Sequence, residues 1–257
     1  MAAQNKINLP FGETIKRSFL YTVLNGKLLA KMLAFGLVLL AYEIWSGFIN
    51  LQALAAETAE SANSWQVLSG NLLYMLVSVA VMVNYCRFIV LKAPVDFGSL
   101  AFFKRVAILM LAMFVFVFSI SVPLTILFSL AQALASSVLY LLVVVLGITF
   151  VICLSPMYLY FTGLAVEDKN ITLKEAFSLT KGNYNKIFWG AILMRLPCLL
   201  ATLGLGVWCN VALPEIYVSK LIFSVVFITL SLLDTCFAAS YFSHVYQYFT
   251  FFKKEKL

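Results

Sequence analysis

The chain has 257 residues, of which 63 % are hydrophobic and 11 % are charged, and its formal net charge at pH 7 is +7. Soluble proteins carry about 45–50 % apolar and about 25 % charged residues, so this chain has too few charges to cover a water-facing surface. The same figures exclude a disordered chain, a coiled coil and a disulfide-stabilised scaffold. The composition therefore predicts an integral membrane protein.

Six apolar segments, taken in chain order, are long enough to cross a membrane as helices, which requires about 20 residues each. Residues 106–118 and 138–146 are apolar at every position, whereas the strands of a transmembrane barrel alternate apolar and polar residues. We therefore predict an all-α, polytopic helical bundle that forms a single membrane domain over residues 1–257. The six predicted transmembrane helices cover residues 32–51, 67–91, 106–130, 138–166, 187–213 and 221–249.

Three prolines, Pro123, Pro156 and Pro197, lie inside these predicted spans. Proline lacks the amide donor of a helical residue, so we expect each to bend its helix. A tolerated kink is the simpler interpretation, and a gating hinge is the alternative.

The positions of the basic residues predict the orientation of the chain. Of the 18 lysines and arginines, 16 lie in the N-terminal segment, the second connection, the fourth connection or the C-terminal tail. Basic residues concentrate on the cytoplasmic side of membrane proteins. We therefore expect both termini of the chain to lie in the cytoplasm. The net charge is explained by topology and by attraction to anionic lipids, and it does not indicate nucleic-acid binding.

The fourth connection contains a predicted surface helix. Thr172 and Glu175 have the spacing of a capping box, in which the first residue caps the helix and the fourth returns a hydrogen bond. Ile171, Leu173 and Phe177 share one face with Thr180, whereas Lys174 and Lys181 lie on the other. This pattern predicts a short amphipathic helix in the cytoplasmic interface.

Residues 14–25 align without a gap to residues 172–183, with five identical positions in twelve. A third copy of this pattern starts at Asp96, which would cap a short helix through Phe103. The chain would then consist of three units, each a surface helix followed by a two-span hairpin. Independent use of similar membrane-entry chemistry, without duplication, explains the pattern equally well.

The segment from Glu167 to Tyr184, EDKNITLKEAFSLTKGNY, resembles a stretch of the YciC-like bacterial inner-membrane proteins and of the membrane domain attached to some glycerophosphoryl diester phosphodiesterases. The N-terminal residues 11–27 are also similar. The resemblance implies a bacterial inner-membrane helical bundle and supplies no catalytic residues. The chain lacks a phosphodiesterase domain, so that activity is not implied.

The sequence contains no recognisable catalytic motif. His244 is the only histidine, no nucleotide-binding or nucleophile-elbow motif is present, and none of the five cysteines forms a Cys-x-x-Cys pair. We expect no enzymatic activity, no metal and no cofactor. The expected partners are membrane lipids, with a second copy of the chain or other membrane proteins as alternatives.

Charged residues inside the apolar segments are the remaining indication of function. A charge in hydrocarbon costs at least about 2.5–3.5 kcal/mol, so it should face protein or water. Glu43 lies close enough to an interface to be solvated, whereas Arg195 and Asp234 lie deeper, at similar levels of consecutive antiparallel spans. We predict that Arg195 and Asp234 form a buried ion pair inside the bundle.

Three functions are compatible with these features. The first is a non-enzymatic protein with a structural or accessory role in envelope or lipid organisation. The second is a small-solute transporter or channel that uses a polar site around Arg195 and Asp234. The third is a membrane enzyme acting on lipid.

Overall fold

The computed structural model describes residues 8–55, 59–133, 137–212 and 217–254. Within these ranges the chain is almost entirely helical and contains no β-strand. The helices are α1 (Phe11–Leu24), α2 (Gly26–Leu33), α3 (Gly36–Ala55), α4 (Ala59–Leu91), α5 (Leu100–Ala133), α6 (Ser137–Leu154), α7 (Met157–Ala165), α8 (Leu173–Leu179), α9 (Tyr184–Ala212) and α10 (Tyr217–Lys254).

Five helical stretches of the described residues are long and apolar enough to cross a membrane. They are Gly26–Ser46, Leu68–Leu91, Leu100–Leu130, Tyr184–Leu205 and Ile222–Phe251. A sixth arises if α6 and α7, which meet at an angle of 44°, form one bent span. The first stretch begins before residue 32, where the sequence predicted it, because α2 leads into α3 with only a short break at Ala34 and Phe35.

The prolines differ in their effect. Pro156 lies at the bend between α6 and α7, where the neighbouring Ser155 Oγ donates a hydrogen bond to the Tyr184 carbonyl at 3.1 Å. Pro123 and Pro197 lie within α5 and α9, each of which continues as a single helix. Only the predicted bend at Pro156 therefore interrupts a helix.

The two ends of the described chain lie at the same end of the bundle. The Leu9 amide donates to Asn183 Oδ1 at 3.0 Å, and the Tyr248 hydroxyl donates to the Asn8 carbonyl at 2.9 Å. Gln247 Nε2 donates to the Ile89 carbonyl at 3.0 Å, which places the end of α4 there as well. We call this the basic end. It comprises residues 8–18, 87–105, 166–186 and 247–254.

The core is formed mainly by α4 and α10, with α1, α7 and the first half of α9 packed around them. Fully buried side chains such as Tyr85, Ile89 and Phe249 lie in the halves of α4 and α10 nearest the basic end. The hairpin of α5 and α6 contributes little to this core. Most of its large side chains, including Leu111, Ile126 and Leu141, are exposed on the protein surface, as expected for residues that face lipid.

A glycine allows α9 and α10 to approach closely. A Cβ atom at Gly190 would lie 2.0 Å from the hydroxyl oxygen of Tyr241, and that hydroxyl donates to the Lys186 carbonyl at 3.0 Å. Gly204, further along α9, makes no such close approach. A Cβ at Gly204 would meet no atom within 4 Å, because this part of α9 is at the protein surface.

The predicted third surface helix, through Phe103, does not form. Asp96 Oδ1 accepts from the amides of Gly98 and Ser99 at 3.2 and 3.1 Å, and Ser99 Oγ accepts from the Phe102 amide at 3.0 Å. These bonds start α5, which continues unbroken to Ala133. No counterpart of Gly182, whose φ of 85° accompanies the end of α8, separates a short helix from the span.

Candidate functional site

A polar groove of about 350 Å³ opens between α9 and α10. On α9, Arg195, Cys198 and Thr202 follow one another at helical spacing, and on α10 Phe227, Ser231 and Asp234 do the same, so each helix presents one face to the groove. The full lining is Tyr74, Ile192, Arg195, Cys198, Leu199, Thr202, Phe227, Ser231 and Asp234. The groove therefore combines apolar walls with two charged side chains and three hydroxyl groups.

The structure brings Arg195 and Asp234 together. Arg195 Nε lies 2.9 Å from both carboxylate oxygens of Asp234, and Arg195 Nη2 lies 2.5 Å from Oδ2. The guanidinium therefore binds the carboxylate with two nitrogens, which is the strong, geometrically specific form of this interaction.

The pair is not enclosed inside the bundle as the sequence predicted. The Asp234 side chain is 19 % exposed, but the Arg195 side chain is 52 % exposed. Asp234 lies on the same side of α10 as the buried Phe237, three residues further on, whereas the exposed Arg195 follows the buried Met194 on α9. The arginine thus forms a charged wall of a groove that is open at its side.

This groove is at mid-span. Arg195 lies eleven residues after Tyr184 and ten before Leu205, the ends of its membrane-length stretch. Asp234 lies twelve residues after Ile222 and 17 before Phe251. At about 1.5 Å per residue, both charges are at least about 15 Å from either end of their stretches. The third charge named from the sequence, Glu43, belongs to α3, and its side chain lies outside the described part of the structure.

The surface helix of the fourth connection is present as α8. The Thr172 hydroxyl accepts from the Glu175 amide at 3.3 Å, so Thr172 caps the helix. Its protein-facing side is formed by the buried Ala176 and Thr180. Phe177 is half-buried and its ring packs edge-on against Tyr184, while Leu173 is 43 % exposed and Lys174 is exposed.

A cluster of ion pairs at the basic end was not predicted. Arg87 and Arg105 both contact Glu167, at 3.4 and 3.1 Å, and Arg105 also lies 3.9 Å from Asp96. The hydrogen bond and charge of Arg105 lower the pKa of Glu167, and hydrogen bonds from Ser99 lower that of Asp96. No local sequence pattern indicates this cluster, because its members come from the end of α4, the start of α5 and the segment that follows α7.

Within the described ranges, no three His, Cys, Asp or Glu side chains are grouped so that they could hold a metal ion. Cys86, Cys153, Cys198 and Cys236 are free thiols. The arrangement at the groove can form hydrogen bonds and compensate charge, and we assign it no bond-breaking chemistry.

No known protein family, curated protein or solved structure matches this chain. The resemblance of residues 167–184 to YciC-like proteins therefore stays a prediction. The structure does give that segment a role within this chain, because Glu167 binds two arginines, Asp168 accepts a short hydrogen bond from Tyr246, and Thr172 caps α8.

Proposed function

We propose that this chain is a non-enzymatic, six-span protein of the bacterial inner membrane, with both termini in the cytoplasm, that has an accessory role in lipid organisation. Its side-open groove would receive the polar part of a membrane lipid. The observation that carries the proposal is the half-exposed Arg195 at mid-span in the groove between α9 and α10.

The physical argument starts from the cost of an exposed charge. An arginine facing hydrocarbon costs at least about 2.5–3.5 kcal/mol, and a single carboxylate partner on one side leaves part of the guanidinium unsolvated. A polar occupant on the exposed side of Arg195 would offset this cost. Ser231 and Thr202 extend the polar surface from the ion pair, while Leu199 and Phe227 provide apolar contacts. This mixture fits an amphipathic molecule that arrives from the bilayer.

The lipid proposal can be tested by counting retained lipids. Native mass spectrometry of the purified protein, after stepwise removal of lipid with detergent, should show a phospholipid that stays bound to the wild type. The double variant Arg195→Gln, Asp234→Asn removes both charges without leaving one unpaired, and it should lose that lipid. The variant Thr149→Val changes an exposed residue of α6 outside the groove and serves as the control. Equal retention by the wild type and the double variant would contradict the proposal.

A small-solute transporter or channel is the second candidate. Pro197 supports it, because this residue lies beside the charge pair in α9 and leaves the Leu193 carbonyl without its helical donor, which favours local bending. In proteoliposomes, a transporter would show flux of a solute that both single variants, Arg195→Gln and Asp234→Asn, abolish. A broad panel of solutes without protein-dependent flux would leave the lipid proposal as the better account.

A further inference from the structure

A second cavity, also of about 350 Å³, lies at the basic end between α1 and the last turns of α10. It is separate from the mid-span groove and shares no lining residue with it. Its polar lining includes Glu13 and Arg17 from α1 and His244 and Gln247 from α10. The cavity therefore joins a surface helix to the end of a membrane-length helix.

The N-terminus of α1 borders this cavity. Pro10 precedes the first turn and lines the cavity together with Glu13 and Thr14. Among the described residues, no side chain caps this end of the helix. The first amides of a helix lack backbone partners and carry the positive end of the helix dipole, so such an end favours an anion.

Arg17 supplies a full positive charge one turn further along α1. Its Nη2 lies 3.7 Å from Glu13 Oε1, and the two side chains are 69 % and 71 % exposed. An ion pair this long and this exposed contributes little to stability. The guanidinium can therefore turn to an incoming phosphate without a large loss.

His244 offers a different kind of hydrogen bond. The residue is 8 % exposed, and its Nδ1 lies 2.8 Å from the Ser240 carbonyl of its own helix. A carbonyl only accepts, so Nδ1 carries the hydrogen, and Nε2 of the neutral ring is then an acceptor. Among the described residues Nε2 has no hydrogen-bond partner. The ring is held in place by Tyr21, whose ring centroid is 5.5 Å away, and Tyr21 also contacts Lys92.

The surroundings of the cavity indicate where its ligand comes from. On α1, Phe19, Leu20 and Val23 are exposed although they are large and apolar, which suits a helix lying in the membrane interface. Phe251, on the rim of the cavity, is 60 % exposed. A ligand with both a phosphate and acyl chains would contact the polar lining and these apolar residues together.

We infer that this cavity binds the headgroup of a glycerophospholipid whose phosphate accepts hydrogen bonds from Arg17 and the N-terminus of α1, and whose outer arm donates a hydrogen bond to His244. Such an arm carries an ammonium or a hydroxyl group, as in phosphatidylethanolamine and phosphatidylglycerol. Phosphatidylcholine presents the same phosphate without a donor in that arm. This site does not depend on the mid-span groove.

The test is a titration of the full-length protein by native mass spectrometry with phosphatidylethanolamine, phosphatidylglycerol and phosphatidylcholine of the same acyl chains. It is run in the background Arg195→Gln, Asp234→Asn, so that the mid-span groove does not contribute and failure of one site leaves the other untouched. The two donor-bearing lipids should bind about tenfold more tightly than phosphatidylcholine. Glycerol 3-phosphate is added as a competitor that has the phosphate without acyl chains.

Two variants separate the two contacts. Arg17→Gln should weaken all three lipids about tenfold, whereas Lys16→Gln removes the same charge from a neighbouring exposed position outside the cavity and should have little effect. His244→Phe keeps an aromatic ring against Tyr21 and should abolish only the preference over phosphatidylcholine. Equal effects of Arg17→Gln and Lys16→Gln, or an unchanged preference in a folded His244→Phe protein, would overturn the proposal. If glycerol 3-phosphate competes at the same concentrations at which the lipids bind, the ligand is a soluble phosphate, and this result would also overturn the proposal.

Discussion

The most apolar helices of this protein are among its least buried. The stretch Leu68–Leu91 of α4 has a mean hydropathy of 1.8, and 56 % of its most apolar 18-residue segment is buried inside the protein. The stretch Leu100–Leu130 of α5 has a mean hydropathy of 2.6, and the corresponding buried share is 11 %. In lipid, hydrophobicity alone gives helices no reason to associate. The two regions therefore show that contact depends on small and hydrogen-bonding residues.

Those residues are concentrated in the packed region. Ser240 Oγ donates to the Ser18 carbonyl at 2.9 Å between α10 and α1, and Thr22, Thr162 and Ser243 are buried nearby. Gly190 removes the side chain that would separate α9 from α10. The α5–α6 hairpin has fewer such contacts among its described residues and presents large side chains to the membrane.

The largest expected effect separates the packed and exposed parts of one helix. Gly190→Leu would place a side chain against Tyr241, where even a Cβ lies 2.0 Å from the hydroxyl oxygen, and should cost about 3 kcal/mol of unfolding free energy or more. Gly204→Leu, in the same helix, has no atom within 4 Å of its Cβ and should not destabilise. Thermal unfolding in detergent compares the two, and equal losses would show that the regions do not differ in packing.

The mid-span ion pair gives the next largest effect. Asp234→Asn or Arg195→Gln leaves one charge without its partner and should each lower stability by about 2 kcal/mol. The double variant should recover part of this loss, because the two side chains interact directly. Steric-trapping or denaturant measurements in bicelles would give the three free energies. Strictly additive losses would mean that the contact carries no coupling energy.

A smaller effect is expected at the surface helix. Thr172→Ala removes the hydroxyl that accepts from the Glu175 amide and should destabilise by about 1 kcal/mol. Ser178→Ala, at an exposed position of the same helix, is the matched control. Hydrogen exchange should speed up in α8 only for the Thr172 variant, and identical exchange in both variants would show that the cap does not stabilise α8.

The smallest effect concerns the carboxylates of the basic end. The pKa of Glu167 is lowered by Arg105 and that of Asp96 by Ser99, so their ion pairs and hydrogen bonds contribute stability above the ordinary carboxyl pKa. This contribution is lost as the pH falls through the lowered values. Because Glu167 is 55 % exposed, its share is roughly 0.5 kcal/mol. The free energy of unfolding, measured from pH 7 to pH 3, should decline less steeply in the Glu167→Gln variant than in the wild type. An unchanged slope would show that the Glu167 carboxylate does not contribute to the pH dependence.

Local sequence patterns predicted part of this structure well. Apolar segment length indicated the five membrane-length stretches of the described residues, while a sixth span stays a prediction, and the spacing of Thr172 and Glu175 identified the cap of α8. The contact between Arg195 and Asp234 followed from their depth along adjacent antiparallel spans. Each of these depends on distances along one helix or between helices that are consecutive in the chain.

The remaining features depend on contacts between distant segments. The exposure of Arg195 follows from how α9 is rotated against α10, and the role of Gly190 follows from the position of Tyr241. The ions at the basic end come together only when α4, α5 and α7 pack. The repeat of residues 14–25 at 172–183 stays a prediction, although Ser18 and Thr22 are buried at the positions equivalent to the buried Ala176 and Thr180.

The central claim is that a lipid headgroup enters the groove beside Arg195. It is tested most directly with a phospholipid that carries a photoreactive group on its headgroup, reconstituted with the protein in a bilayer and mapped by peptide mass spectrometry. We predict cross-links at the groove residues Ser231 and Cys198, in addition to the ends of the helices, and their loss in the Arg195→Gln, Asp234→Asn variant. Cross-links confined to the helix ends, with none in the groove, would contradict the account.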